Sequence, residues 1–139
     1  MIDLTSLTVA QARKDLDSKK YSSRARTGAY RAAIAERDGE IHAYLEVWKD
    51  EALAEADAAD AMIARGESKP LTGIPMAIKD NILIKGRIAS AASKILENYH
   101  ASYDATVITK LKKQGAVLLG RVNMDEFAMG SSTENSAYG

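Results

Sequence analysis

Two stretches of this 139-residue sequence carry side chains able to do chemistry. The first is Lys79-Asp80-Asn81, set directly after the apolar run Ile74-Pro75-Met76-Ala77-Ile78. In open α/β sheets ligands gather beyond the carboxyl ends of the strands, so a polar triplet at such an end stands where a site is found. A lysine placed in an apolar setting is disfavoured as an ammonium, and the neutral amine is a general base toward a hydroxyl. A solvated lysine that merely ends a strand accounts for the same local pattern. The second stretch is Gly130-Ser131-Ser132-Thr133-Glu134-Asn135-Ser136. Its hydroxyls and backbone N–H groups suit a ligand, and they equally suit a plain solvated loop.

Other chemistries lack their residues. Cysteine is absent, which removes disulfides, thiolate zinc sites and thiol nucleophiles together. His42 and His100 lie far apart with no carboxylate at ligand spacing around either, so no metal site is expected. Gly115 to Gly120 does not form the dinucleotide-binding fingerprint, and no phosphate-cradling G-x-x-x-x-G-K-[ST] occurs. Lys plus Arg total 19 and Asp plus Glu total 19, a balance without the basic footprint of a nucleic-acid binder. With 46% hydrophobic and 27% charged residues, the composition is that of one globular domain. The N-terminus lacks the pattern of a signal peptide, and no apolar run approaches the ~18 residues of a membrane span. The cytosol is therefore the expected compartment, with no membrane partner.

The elements that must position these stretches follow from periodicity. Leu7, Val9, Ala12 and Leu16 recur at helical spacing, with Ser6 or Thr8 as the N-cap. A second helix is expected from Ser22-Ser23 to a turn at Asp38-Gly39. From Ile41 to Val47 apolar residues alternate with His42, Tyr44 and Glu46, the period of a half-buried strand. Lys49 to Arg65 predicts the clearest helix, with a stripe of Trp48, Ala52, Ala56, Ala59 and Ile63, Glu55, Asp57 and Asp60 elsewhere, and Gly66 as the stop. The alanine content is explained more simply by helix propensity than by close packing. Beyond Pro70 glycine becomes denser, and a strand over 74–79 is followed by a short helix over 93–99. Asp104 then caps a helix that turns Val107, Ile108 and Leu111 inward. A buried strand at 116–120 completes a strand-helix-strand unit, which implies a parallel or mixed sheet. A further helical turn is expected through Phe127 to Met129. Residues 1–70 thus read as mostly helical with one strand, and 71–139 as the part carrying the lysine.

Several of these segments closely resemble the amidase signature family. They are Leu71-Thr-Gly-Ile-Pro-Met-Ala-Ile-Lys-Asp-Asn-Ile82, Ala92-Ser-Lys-Ile-Leu-Glu-Asn98, Tyr103-Asp-Ala-Thr-Val107, Gly115-Ala-Val-Leu-Leu-Gly120 and Asn123-Met-Asp-Glu-Phe-Ala-Met-Gly-Ser-Ser-Thr-Glu-Asn-Ser136. Within the family, the last of them singles out the branch of tRNA-dependent amidotransferase A subunits from general amidases. The resemblance implies an α/β class, the N-terminal portion of an α/β/α fold whose mixed sheet is incomplete in this chain. It also implies a Ser–cis-Ser–Lys triad that cleaves an amide, with the lysine role carried by Lys79 and a substrate-binding role carried by Met129, Gly130 and Ser131.

The family's two triad serines belong to a Gly-Gly-Ser-Ser-Gly-Gly-Ser signature that does not occur among these residues. The chain is therefore expected to be an N-terminal fragment that is inactive alone. The parent activity implied by resemblance is glutamine hydrolysis supplying ammonia for the amidation of misacylated Glu-tRNA(Gln) or Asp-tRNA(Asn). The implied partners are a B subunit, which handles ATP, Mg²⁺ and most tRNA contact, and a small C subunit; no cofactor is expected in this chain. A fragment of a general amide hydrolase, or a short partner-binding protein without catalysis, are the alternatives.

Overall fold

A computed structural model describes residues 2–139. The element order is α1 (Val9–Asp17), α2 (Ser23–Ile41), β1 (Tyr44–Val47), α3 (Lys49–Ala64), β2 (Pro75–Lys79), α4 (Thr106–Lys113) and β3 (Val117–Val122), with 3₁₀ turns at Lys94–Leu96 and Glu126–Ala128. The three strands form one sheet in the order β1-β3-β2. β3 runs antiparallel to β1 and parallel to β2, so the sheet is mixed. Pro75, which has no N–H to donate, starts the edge strand β2.

Thr8 caps α1 by accepting from the Gln11 N–H at 3.2 Å, and Ala12 and Leu16 pack on Ile74. The first turn of α2 is held twice. Ser22 Oγ accepts from Ala25 N, and the Asp60 carboxylate of α3 accepts from Ser23 N at 2.7 Å and Arg24 N at 3.0 Å.

Helix α2 does not stop at Asp38-Gly39 as expected. It runs on to Ile41 and closes on His42 in the left-handed region (φ 54°), whose N–H bonds the Asp38 carbonyl. Asp38 makes no turn of its own, because its carboxylate catches the departing chain at Ala43 N and Tyr44 N. Strand β1 consequently begins at Tyr44, and Ile41 is an exposed helix-end residue where the alternating pattern predicted strand.

Trp48, Ala52, Ala56 and Ala59 of the expected stripe are buried and Ile63 is half-buried, and the alanines do more than favour helix. Ala52 and Ala56 pack on Val117 and Leu119 of β3, with Tyr30 and Ile34 of α2 against the same cluster. Side chains this small let the helix lie close to the sheet. Glu55 is half-buried and not on the solvated face: it accepts from Leu118 N at 2.7 Å. That N–H lies at a register shift, where Met76 faces Leu118 but Ala77 faces Gly120. A bulge leaves a strand donor unpaired, and the Glu55 carboxylate satisfies it.

Around α4 two expectations fail. Ala105 is the cap and Asp104 points away, accepting from Lys85 N and pairing with Lys112, both at 2.8 Å. Ile108 is buried but Val107 is 46% exposed. Ile108 and Leu111 share one helical face, and Val107 lies about 100° round the axis from it. Ile108 joins Trp48, Ile78, Ile84 and Leu118 in a second core, while the expected 93–99 helix shortens to a single 3₁₀ turn.

A Cβ at Gly120 would stand 2.2 Å from the Glu46 carbonyl oxygen, whereas Gly28, inside α2, has open space around it. Gly120→Ala should lose about 1–3 kcal/mol in urea denaturation, and Gly28→Ala should gain about 0.5–1 kcal/mol; equal midpoints would contradict the packing described. Burial raises the Glu55 carboxyl above its ordinary value, partly offset by the Leu118 N–H bond. A raised carboxyl value means that the charged form costs stability, and that the cost fades as pH falls through the folded-state value. Glu55→Gln should therefore melt higher than the parent at neutral pH, with the gap closing in acid, while Glu55→Ala should lose about 1–3 kcal/mol by stranding the Leu118 N–H.

Candidate functional site

Strand alternation sets the first feature. Ile78 turns into the core, and the next side chain, Lys79, emerges exposed at the end of β2. In the parallel ladder Lys79 stands opposite Val122. The carboxyl ends of both strands therefore lie at one edge, and the chain leaving β3 runs past Lys79.

Asp80 turns back inside and is 1% exposed. Its Oδ1 accepts from Ser90 N at 3.0 Å and from an Arg121 guanidinium nitrogen at 2.6 Å. Its Oδ2 accepts from Ser90 Oγ at 2.5 Å and Ala92 N at 2.7 Å. The Asp80 carbonyl also accepts from Ala91 N. These bonds hold Ala91 and Ala92 in the left-handed region, with φ 49° and 51°, at a cost of about 1–2 kcal/mol each. The carbonyls of this strained turn face the segment after β3: Ala91 O accepts from Phe127 N at 2.9 Å and Ala92 O from Ala137 N at 3.0 Å.

A second buried carboxylate, Asp125, organises that segment from inside. It accepts from Ser132 N and Thr133 N at 3.0 Å each and from Asn135 N at 3.1 Å. Gly130 presses against it so closely that a Cβ would stand 2.5 Å from Asp125 Cγ. The N–H bonds, Thr133 first, hold the Asp125 carboxyl below its ordinary value, and the charge of Lys79 adds to the effect. Met129, Gly130 and Ser131 are exposed on the loop that Asp125 shapes. The structure thus brings Lys79 and residues 129–131 to the same end of the sheet. The helical turn expected through Met129 is only a 3₁₀ turn, with Phe127 and Ala128 in the left-handed region.

Sequence reasoning passed over Asp80, Ser90, Arg121 and Asp125 as site residues. Asp80 stands in a triplet singled out for its lysine, and Asp125 in a motif read as the marker of a family branch. Their partners lie 7 to 41 residues away, beyond any local pattern. Among the described residues no three His, Asp or Glu side chains come together as a metal would require, and no helix is long and apolar enough to cross a membrane. A concavity of about 580 Å³ beside α2, lined by Gly28, Arg31, Ala35, Asp38 and Lys49 among others, includes neither Lys79 nor residues 129–131.

A partial α/β unit with a small mixed sheet is the fold class that the sequence resemblance implied. The family model for Amidase matches residues 25–139, and the chain belongs to that family. It is 52% identical over 138 residues to the A subunit of glutamyl-tRNA(Gln) amidotransferase from Dehalococcoides mccartyi (strain CBDB1), covering 99% of this chain and 28% of that protein. The chain therefore spans little more than a quarter of the length of the curated relatives it matches. The solved A subunit of glutamyl-tRNA(Gln) amidotransferase from Thermotoga maritima superposes with a TM-score of 0.65 at 36% identity, over 99% of this chain and 28% of that one. A structure from a vestigial protein complex that reveals the origins of an s-triazine catabolic enzyme superposes with a TM-score of 0.89 at 41% identity, over 96% and 30%.

The held loop should respond to acid in a defined direction. Because the folded-state value of Asp125 is lowered, its contribution is complete above the ordinary carboxylate value of about 3.9 and is lost as pH falls through the lower folded value. Protection of the Ser132, Thr133 and Asn135 amides, taken relative to the intrinsic exchange rate at each pH, should thus be high near about pH 6 and fall only in stronger acid. Asp125→Asn, with one acceptor oxygen in place of two, should loosen the same amides already near about pH 6; unchanged protection in that variant would contradict the assignment.

Proposed function

We propose that this chain is the lysine-bearing N-terminal part of the A subunit of a glutamine-dependent tRNA amidotransferase. What supports the reading best is the convergence of Lys79 with the Asn123–Ser136 stretch at one pair of strand ends, taken with the likeness to such subunits across 99% of the chain. In the complete protein, Lys79 as the neutral amine accepts a proton through a bridging serine from the nucleophilic serine. A serine hydroxyl attacks poorly until a base within hydrogen-bond reach takes its proton. The serine oxygen then bonds to the carboxamide carbon of glutamine, and the tetrahedral intermediate collapses with cleavage of the carbon–nitrogen bond. The proton returns along the relay to the leaving nitrogen as ammonia departs. Water then attacks the acyl-serine ester, giving up a proton to the relay and releasing glutamate.

Met129, Gly130 and Ser131 form part of the substrate rim in this reading. Gly130, which has no room for a Cβ on its Asp125 side, lets the backbone lie against that carboxylate, and the exposed Ser131 hydroxyl is free to bond the amide substrate. The released ammonia serves the amidation of misacylated Glu-tRNA(Gln) or Asp-tRNA(Asn). A B subunit takes ATP, Mg²⁺ and most tRNA contact in this scheme, while a small C subunit packs on the lysine-bearing one. A formal net charge of zero accords with this division, since direct phosphate contact favours a basic face. The 139 residues contain neither relay serine, so the chain by itself should release no ammonia from glutamine.

The test is a chimera in which residues 1–139 replace the matching part of the Dehalococcoides mccartyi protein, assayed with that organism's partner subunits. It should release ammonia from glutamine and amidate misacylated tRNA, and Lys79→Ala should remove turnover by about three orders of magnitude or more. A chimera that cleaves simple amides but leaves glutamine and tRNA untouched would favour a general amide hydrolase. Full turnover in Lys79→Ala would overturn the proposal.

A further inference from the structure

We propose that Asp80 is a positioning residue of this site, setting where the Phe127–Ser131 stretch stands relative to Lys79; the inference rests on reading those two features as one amide-cleaving site. The four side-chain bonds to Asp80 use both oxygens twice: Ser90 N and Arg121 on Oδ1, Ser90 Oγ and Ala92 N on Oδ2. A carboxylate offers about four acceptor sites and no donors, so every one is filled by a donor. No uncharged side chain of this size reproduces that set. An asparagine would turn two N–H groups toward donors already there.

Stability alone does not account for the arrangement. A buried ion pair such as Asp80–Arg121 gains little over an apolar pair of the same volume, since both charges lose their water. Here the carboxylate instead holds Ala91 and Ala92 in a conformation that alanine adopts reluctantly. The turn's two carbonyls are thereby aimed at Phe127 N and Ala137 N, which flank residues 129–131 on either side. Asp125 grips the same stretch from within, through Ser132, Thr133 and Asn135. Of the two clamps, Asp80 is the one covalently joined to Lys79, so any shift in its grip moves the rim relative to the amine.

The chain has no cysteine, so a nitroxide on Ser131→Cys reports from a single place. In the 139-residue protein, paramagnetic broadening of the Lys79 amide and hydrogen exchange at every amide are measured with and without Asp80→Asn. The expected result is weaker broadening at Lys79 and exchange at least about tenfold faster at Ala92, Phe127 and Ala137, with α1 and the α2–α3 contact as protected as before. Unchanged broadening and exchange at those three amides in the folded variant would overturn the proposal. So would a uniform loss of protection over the whole chain, which marks a residue that only stabilises the fold. Ser90→Ala removes one of the four bonds at little change in volume, and it decides the matter should Asp80→Asn not fold: the same local pattern, smaller, supports the proposal, and no local change refutes it. Neither readout involves turnover, so failure here is separable from failure of Lys79 in the ammonia assay.

Discussion

The parallel pairing of β2 with β3 is the constraint on which the rest depends. It places Lys79 opposite Val122, so the segment that follows β3 must leave the sheet beside the lysine. Parallel pairing requires a crossover, and α4 lies in that connection with Ile108 set into the core under both strands. The ladder also carries an irregularity at Leu118–Gly120. Glu55 takes up the donor left over there, and Gly120 lets the β1 backbone approach where no side chain would fit.

Acidic side chains do a common job throughout this molecule, which is to hold backbone N–H groups that regular structure leaves free. Asp60 takes the first N–H groups of α2, and Asp38 takes those just past its end. Glu55 serves the strand irregularity and Asp104 serves the Lys85 N–H. Asp80 and Asp125 do the same at the candidate site, where the captured amides belong to strained turns. A chain of zero net charge thus spends much of its negative charge on internal geometry. Buried N–H groups without a partner are costly, and a carboxylate is the acceptor able to satisfy several at once.

That habit also explains which parts of the molecule were legible in the sequence. Periodicity located α1 and α3, because burial on one face leaves a repeating trace, and unbroken apolar runs located β2 and β3. Lys79 was visible as a polar residue ending an apolar strand, while the roles of Lys79 and residues 129–131 came from the family resemblance and not from spacing. Two of the errors fall where a carboxylate bonds an N–H outside its own turn. Asp38 read as a turn and Asp104 as a cap, since both residues favour those places locally; each instead serves an N–H further along or back in the chain. Asp80 stood in the polar triplet after β2, but its role was not legible there, its partners being Ser90, Ala92 and Arg121.

Lys79 and residues 129–131 are proposed to face one catalytic space, and a crystal structure of the complete chimeric protein with bound glutamine tests that arrangement. Lys79 Nζ should lie within about 2.6–3.2 Å of a serine hydroxyl, with the glutamine carboxamide beside that relay and Met129, Gly130 or Ser131 in contact with the substrate. A structure in which Lys79 points into bulk water, out of hydrogen-bond reach of any serine, with glutamine bound elsewhere, would contradict it.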